Sequence, residues 1–155
     1  MKMMKFILMI LAISGMISCN RGDHVSNEES NRVAIEVRKT LENYYKDVNA
    51  EGPMAEFRYL DSTDMFSWLP PGYSGPIGFD SVRTILLQNA KSGVRSIASW
   101  DSLEIFPEGN DKARYTGKIT FIAEGDTVHL REEGHVIKRK DGWKMVTGKT
   151  EFSNQ

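Results

Sequence analysis

The chain predicts an α+β fold: an antiparallel sheet of four long strands plus a short one, packed on three N-terminal helices. Three observations carry this. Apolar residues recur at helical spacing as far as Gly93, they alternate at spacing two beyond it, and compact turns join the alternating stretches. Helices first and a strand meander second is the α+β order, in contrast to alternating strand–helix units.

Taken in order, residues 1–18 and 19–30 stand apart from a single domain at 31–153. Lys2 and Lys5 precede the apolar run 6–13, and Ser14-Gly15-Met16-Ile17-Ser18 leads into Cys19, the only cysteine. A charged start, a short apolar stretch and a small residue before the cut form a secretory signal. The run falls short of the ~20 apolar residues that cross a bilayer. Met16-Ile17-Ser18-Cys19 resembles a bacterial lipoprotein lipobox, with Met16 where leucine is usual. The resemblance implies cleavage before Cys19, lipidation of its thiol, and a chain tethered to the membrane on the extracytoplasmic side of the cell envelope. Each buried methylene is worth ~0.8 kcal/mol, and two or more acyl chains anchor firmly. The alternative is a plain secretory signal with an incidental cysteine. Residues 20–30 are polar and read as a flexible tether; their Arg21-Gly22-Asp23 is the chance composition of such a segment.

Ser26 and Glu29 have capping-box spacing, and Val33, Val37, Leu41, Tyr44, Tyr45 and Val48 then form one helical stripe. Glu51-Gly52-Pro53 ends this helix, and Pro53 opens a short second one through Tyr59. A short strand at 65–69 precedes a loop rich in proline and glycine. Asp80 is expected to cap a third helix with Phe79, Val82, Leu86 and Ala90 on one face and Gly93 beyond its end. Strands are expected at 96–106, 112–123, 127–138 and 143–152.

Without residues 1–18 the chain carries 18 basic and 21 acidic residues, a net charge of −3. That balance gives no electrostatic case for nucleic acid, which calls for a clustered basic surface. With Cys19 lipidated, disulfide, thiol and cysteine-metal chemistry leave the mature domain. His129 and His135 share a strand face but lie ~20 Å apart, too far for one metal; no metal or cofactor is expected. Glu133 and His135 are within reach of each other on what reads as the solvent face. Asp61-Ser62, Asp80-Ser81, Asp101-Ser102 and Asp126-Thr127 resemble a short O-glycosylation signal of some envelope bacteria, and equally suit turns and caps.

Alternation assigns the inner faces. Ala113, Tyr115, Gly117, Ile119 and Phe121 share one face of their strand, and Val128, Leu130, Glu132, Gly134 and Val136 one face of the next. Glu132 is thus a carboxylate on an apolar face, unless a bulge or a strand end turns it outward. On the last strand Trp143, Met145, Thr147, Lys149 and Glu151 are expected on one face, which would set Lys149 beside Glu132 as an ion pair.

The order of these pieces resembles the nuclear transport factor 2-like superfamily, in particular its SnoaL-like and ketosteroid-isomerase branch. The matching pieces are the helix ending Tyr44-Tyr45-Lys46-Asp47-Val48-Asn49-Ala50-Glu51-Gly52, the 64–72 segment, Gly75-Pro76-Ile77-Gly78 before Asp80-Ser81-Val82, Ala113, and the closing Lys140-Asp141-Gly142-Trp143-Lys144-Met145-Val146. The resemblance implies a cone-shaped sheet with a pocket for amphipathic small molecules, and a homodimer through the sheet. Carried over by position, the isomerase oxyanion tyrosine falls on Tyr44, the base on Leu69, and the second oxyanion acid near Gly134 or His135. Leu69 takes no proton, so isomerisation is not expected. Pocket candidates are Tyr44, Tyr45, Tyr59, Tyr115, Glu132 and Lys149, with Trp68 and Trp100 as apolar walls. Two functions stay open: a non-catalytic pocket for a small amphipathic ligand or protein partner, or a cyclase, hydrolase or dehydratase using Glu132 as general acid–base with Tyr44 or Lys149 beside it.

Labelling with an alkynyl fatty acid in a bacterial host tests the anchor. The full chain should take up the label and sediment with membranes, and Cys19→Ser should do neither. Equal labelling of both removes the lipoprotein assignment.

Overall fold

The computed structural model describes residues 26–153, so the expected signal, Cys19 and most of the expected tether lie outside the described residues; residues 26–30, read from sequence as tether, instead cap and open the first helix. Helix α1 (Asn27–Glu51) begins where the side chain of Ser26 accepts a hydrogen bond from the Glu29 N–H at 3.2 Å. Val33, Val37 and Leu41, one per turn, are wholly buried, each worth ~1.5–3 kcal/mol of apolar transfer. The helix stops at Gly52, whose φ of 90° favours glycine and whose N–H returns to the Val48 carbonyl.

The expected short second helix is a 3-10 helix, Pro53–Arg58. Strand β1 (Ser67–Leu69) and helix α2 (Phe79–Ser92) follow. Asp80 does not cap α2: Gly78 is the N-cap residue, without a side-chain bond, and Asp80 sits in the first turn. Its charge there still favours the positive helix end. Ala90 is exposed, and Val82 and Leu86 carry the buried face. Gly93 ends the helix in the left-handed conformation.

Four long strands complete the chain: β2 (Ser96–Pro107), β3 (Lys112–Ala123), β4 (Asp126–Arg139) and β5 (Gly142–Phe152). Their order is β1-β5-β4-β3-β2, antiparallel throughout except that β1 runs parallel to β5. The fold is therefore α+β with three helices and a mixed, mostly antiparallel sheet. Between β3 and β4, Glu124 and Gly125 both have positive φ, the tight turn that matches strand twist.

Helix α1 lies on the inner face of the sheet and is stitched to its β2 edge. The Asn49 side chain donates to the Ala98 carbonyl at 2.8 Å and accepts from its N–H at 2.9 Å, satisfying edge groups that would otherwise lack partners. Arg38 donates to the Leu103 carbonyl, and the Trp100 indole to that of Leu41. The inner faces of β3 and β4 are as the alternation reads them: Ala113, Tyr115, Gly117, Ile119, Glu132, Gly134 and Val136 are all buried.

The β5 expectation needs correction. Met145 pairs with Val136 but Thr147 with His135, so Val146 is an extra residue, a β-bulge. Trp143 and Met145 face inward before it. Gly148 and Thr150 continue the inner face after it, opposite Gly134 and Glu132. Lys149 and Glu151 consequently stand outside, and Lys149 bonds Glu151 rather than Glu132.

Glycines on the inner face make room for rings. A Cβ at Gly134 would collide with the Thr147 carbonyl and lie 3.0 Å from the Tyr115 ring, and one at Gly148 would lie 3.0 Å from Trp68. Gly134→Ala is expected to cost ~2–3 kcal/mol in denaturant unfolding. Gly75→Ala, with open space around it, should be near neutral.

Candidate functional site

A small cavity of about 40 Å³ lies between α1, the 3-10 helix, α2 and the inner sheet face. Tyr44, Leu60, Phe66, Trp68, Val82, Tyr115 and Met145 form its walls, and Glu56 and Glu132 supply its charge. That is well below the ~300–1,000 Å³ of pockets for drug-sized ligands, so only a small group fits without the walls moving apart.

Glu132 is positioned by alternation on β4 and by what its neighbours leave open. Gly117 on β3 and Thr150 on β5 are its cross-strand partners, both small. Its Oε1 accepts from the Tyr115 hydroxyl at 2.8 Å and its Oε2 from the Thr150 hydroxyl at 3.1 Å. Thr150 in turn accepts from the Trp68 indole at 3.0 Å. Burial raises the Glu132 pKa against the two donors, which pull it down. The Tyr115 phenol is pushed well above its ordinary value by burial and by the neighbouring Glu132.

Glu56 comes from the 3-10 helix and accepts from the Tyr44 hydroxyl at 2.8 Å. Burial, with a further push from Glu132 and opposition from Tyr44, raises its pKa to about 7. Two carboxyls thus face one cavity and repel each other when both are charged. Among the described residues no cation pairs with either, and no three His, Cys, Asp or Glu side chains are grouped to hold a metal.

Of the residues singled out by sequence, Tyr44, Trp68, Tyr115 and Glu132 line this cavity together. Tyr45 and Trp100 pack against each other behind it, ring centres 5.1 Å apart and planes tilted by 58°. Tyr59 packs edge-on against Tyr44 and bonds Asp47. Lys149 is on the outer face. Leu69, at the isomerase base position, lies on β1 and does not line the cavity. Gly134 is buried beneath Tyr115, whereas His135 faces outward, 3.1 Å from Thr147 and 3.6 Å from Glu108, not paired with Glu133. His129 contacts Thr120 on the surface. Tyr44 already donates its one hydroxyl hydrogen to Glu56, so it is not free to serve as an oxyanion donor.

Glu56 is the residue that sequence reading missed. Its signal was a lone acid among Met54, Ala55 and Phe57 in a proline-started turn. That pattern suggests a buried face, but nothing local shows that the face meets Tyr44.

The raised pKa of Glu56 has a sign. Between the ordinary carboxyl value and about 7 the unfolded chain ionises this group while the folded chain keeps it protonated. Stability therefore falls as pH rises through that window. Glu56→Gln is expected to flatten the decline and to raise stability at pH 8 by on the order of 2 kcal/mol, after allowance for partial solvent access. Urea unfolding at pH 5 and pH 8 measures it.

No protein-family model matches the chain, and no curated protein matches it. Solved structures do. A protein from Streptomyces avermitilis, provisionally named a dehydratase of the nuclear transport factor 2-like family, superposes with a TM-score of 0.66 at 14% identity, covering 81% of this chain and 99% of that one. A protein of unknown function from Pectobacterium atrosepticum gives 0.65 at 17% identity over 83% and 98%. A nuclear transport factor 2-like superfamily protein from Salmonella enterica gives 0.65 at 16% over 81% and 94%. Likenesses at this level of identity speak for architecture alone, and by that measure the chain has the nuclear transport factor 2-like fold.

Proposed function

We propose that the chain is a lipid-anchored envelope protein whose domain binds a small amphipathic molecule in the cavity beneath α1. The observation that supports this is the cavity's composition: aromatic and aliphatic walls closing on two carboxyls that, among the described residues, have no cation beside them. Ligand pockets are typically apolar concavities with a few convergent polar groups, and this one matches that description in its lining. An apolar body would lie among Phe66, Trp68 and Val82 with its polar end toward Glu56 and Glu132. The anchor part of the proposal rests on Met16-Ile17-Ser18-Cys19.

One observation favours a second reading. A carboxyl held at about 7, as Glu56 is, suits proton transfer near neutral pH. In that reading Glu132 and Glu56 act as general acid and base in a dehydratase, cyclase or hydrolase reaction, in keeping with the provisional name of the Streptomyces neighbour.

Full chain purified from its native membrane should release a small molecule on denaturation. Glu132→Gln, still folded by circular dichroism, should release at least tenfold less. Equal release from both, or none from either, overturns the binding reading. A chemically altered product that accumulates only when Glu132 is present transfers the assignment to the enzyme.

A further inference from the structure

We propose that the cavity takes a small primary amine in its ammonium form, carried on an apolar or aromatic body; this deepens, and rests on, the binding reading above. The argument is an accounting of hydrogens. Tyr44 donates its hydroxyl hydrogen to Glu56, Tyr115 and Thr150 donate theirs to Glu132, and the Trp68 indole donates to Thr150. Each of these side chains has a single polar hydrogen. The other lining hydroxyl, that of Thr147, is engaged with the His135 backbone N–H and ring at 3.2 and 3.1 Å. With both carboxyls ionised, the polar end of the cavity therefore presents a ligand with acceptors from its side chains and no free donor. Oε1 of Glu56 takes no side-chain hydrogen bond among the described residues, and the remaining lone pairs of both carboxyls and both phenols are open.

Such a surface rejects a ligand that ends in a carboxylate, phosphate or carbonyl, because acceptor would meet acceptor. It suits a group that only donates. An ammonium brings three donors and a positive charge, and the lining rings of Tyr44, Phe66, Trp68 and Tyr115 are of the kind that attract cations.

The charge balance points the same way. Nearby basic side chains are engaged elsewhere: Arg58 with Asp47 and Glu51, Arg139 with Asp61, Lys149 with Glu151. The titratable groups that face the two carboxyls are each other, Tyr44 from α1 and Tyr115 from β3, with Tyr45 of α1 behind them, all acids. A cation between Glu56 and Glu132 would relieve their repulsion and let both ionise. Its entry would then expel protons from the protein. A neutral alcohol of the same shape offers one donor and no charge, and gains nothing from that ionisation.

Calorimetric titration of the full chain with benzylamine and with benzyl alcohol, at pH 6 and pH 8, separates these cases. Benzylamine stays protonated at both values. It should bind at least tenfold more tightly than the alcohol at pH 8, strengthen several-fold from pH 6 to pH 8, and release protons on binding. Glu56→Gln should remove most of both the preference and the pH dependence, while circular dichroism shows the fold retained. Benzyl alcohol binding as tightly as the amine, or amine affinity that is flat or falls with pH, overturns the ammonium assignment and leaves the pocket reading standing. Absence of benzylamine binding overturns it too; the pocket reading itself stands or falls by the release experiment on native protein and Glu132→Gln.

Discussion

The bulge at Val146 sets the phase of β5 and, through it, the contents of the cavity. Before the bulge Trp143 and Met145 face the helices; after it Gly148 and Thr150 do, so the strand keeps an apolar or neutral inner face along its length. A regular strand would have to turn either the tryptophan outward or Lys149 and Glu151 inward, and both alternatives are costly. The extra residue also divides the outer edge of β5 between two parallel partners. Leu60 bridges Met145 on one side of the bulge, flanked by backbone bonds from Met145 to Tyr59 and from Asp61 to Met145, and β1 pairs with Thr147 to Lys149 on the other. The segments that carry Leu60, Phe66 and Trp68 into the cavity wall are thus both attached at this one irregularity.

Given that phase, the chemistry of the cavity follows from which small residues face inward. Gly134 and Gly148 leave room for the Tyr115 and Trp68 rings, and Thr150 brings a hydroxyl to Glu132 where a larger side chain would displace the carboxyl. Removing a carboxylate from water costs several kcal/mol, and two hydroxyl donors offset only part of this. The site therefore holds two acids at a disadvantage to the folded state. Stability alone would favour apolar residues there, and such exceptions concentrate at functional sites. Elsewhere the same molecule treats buried charge differently. Asp61 is also shielded from solvent, but Arg139 at 2.7 Å and Thr63 outweigh its desolvation and hold its pKa below the ordinary value.

Much of this was legible along the chain. The Val33, Val37 and Leu41 stripe, the alternation in β3 and β4, and the inward direction of Glu132 are local consequences of helix and strand geometry, and the structure has them as read. The phase of β5 was not legible, because Val146-Thr147-Gly148 has no residue that demands a bulge; pairing with β4 and with Leu60 imposes it. Nor was Glu56. Its 3-10 turn could be read from Pro53, but its role depends on Tyr44 and Glu132, which reach it from other elements.

The sequence by itself determined the elements, their order and the face that most of them bury, because backbone periodicity and turn chemistry act over a few residues. Tertiary structure alone decided which acids share a cavity and which cations stay outside it. Those outcomes depend on register and on contacts between residues far apart in the chain, and they are settled only when side chains compete for the same enclosed space.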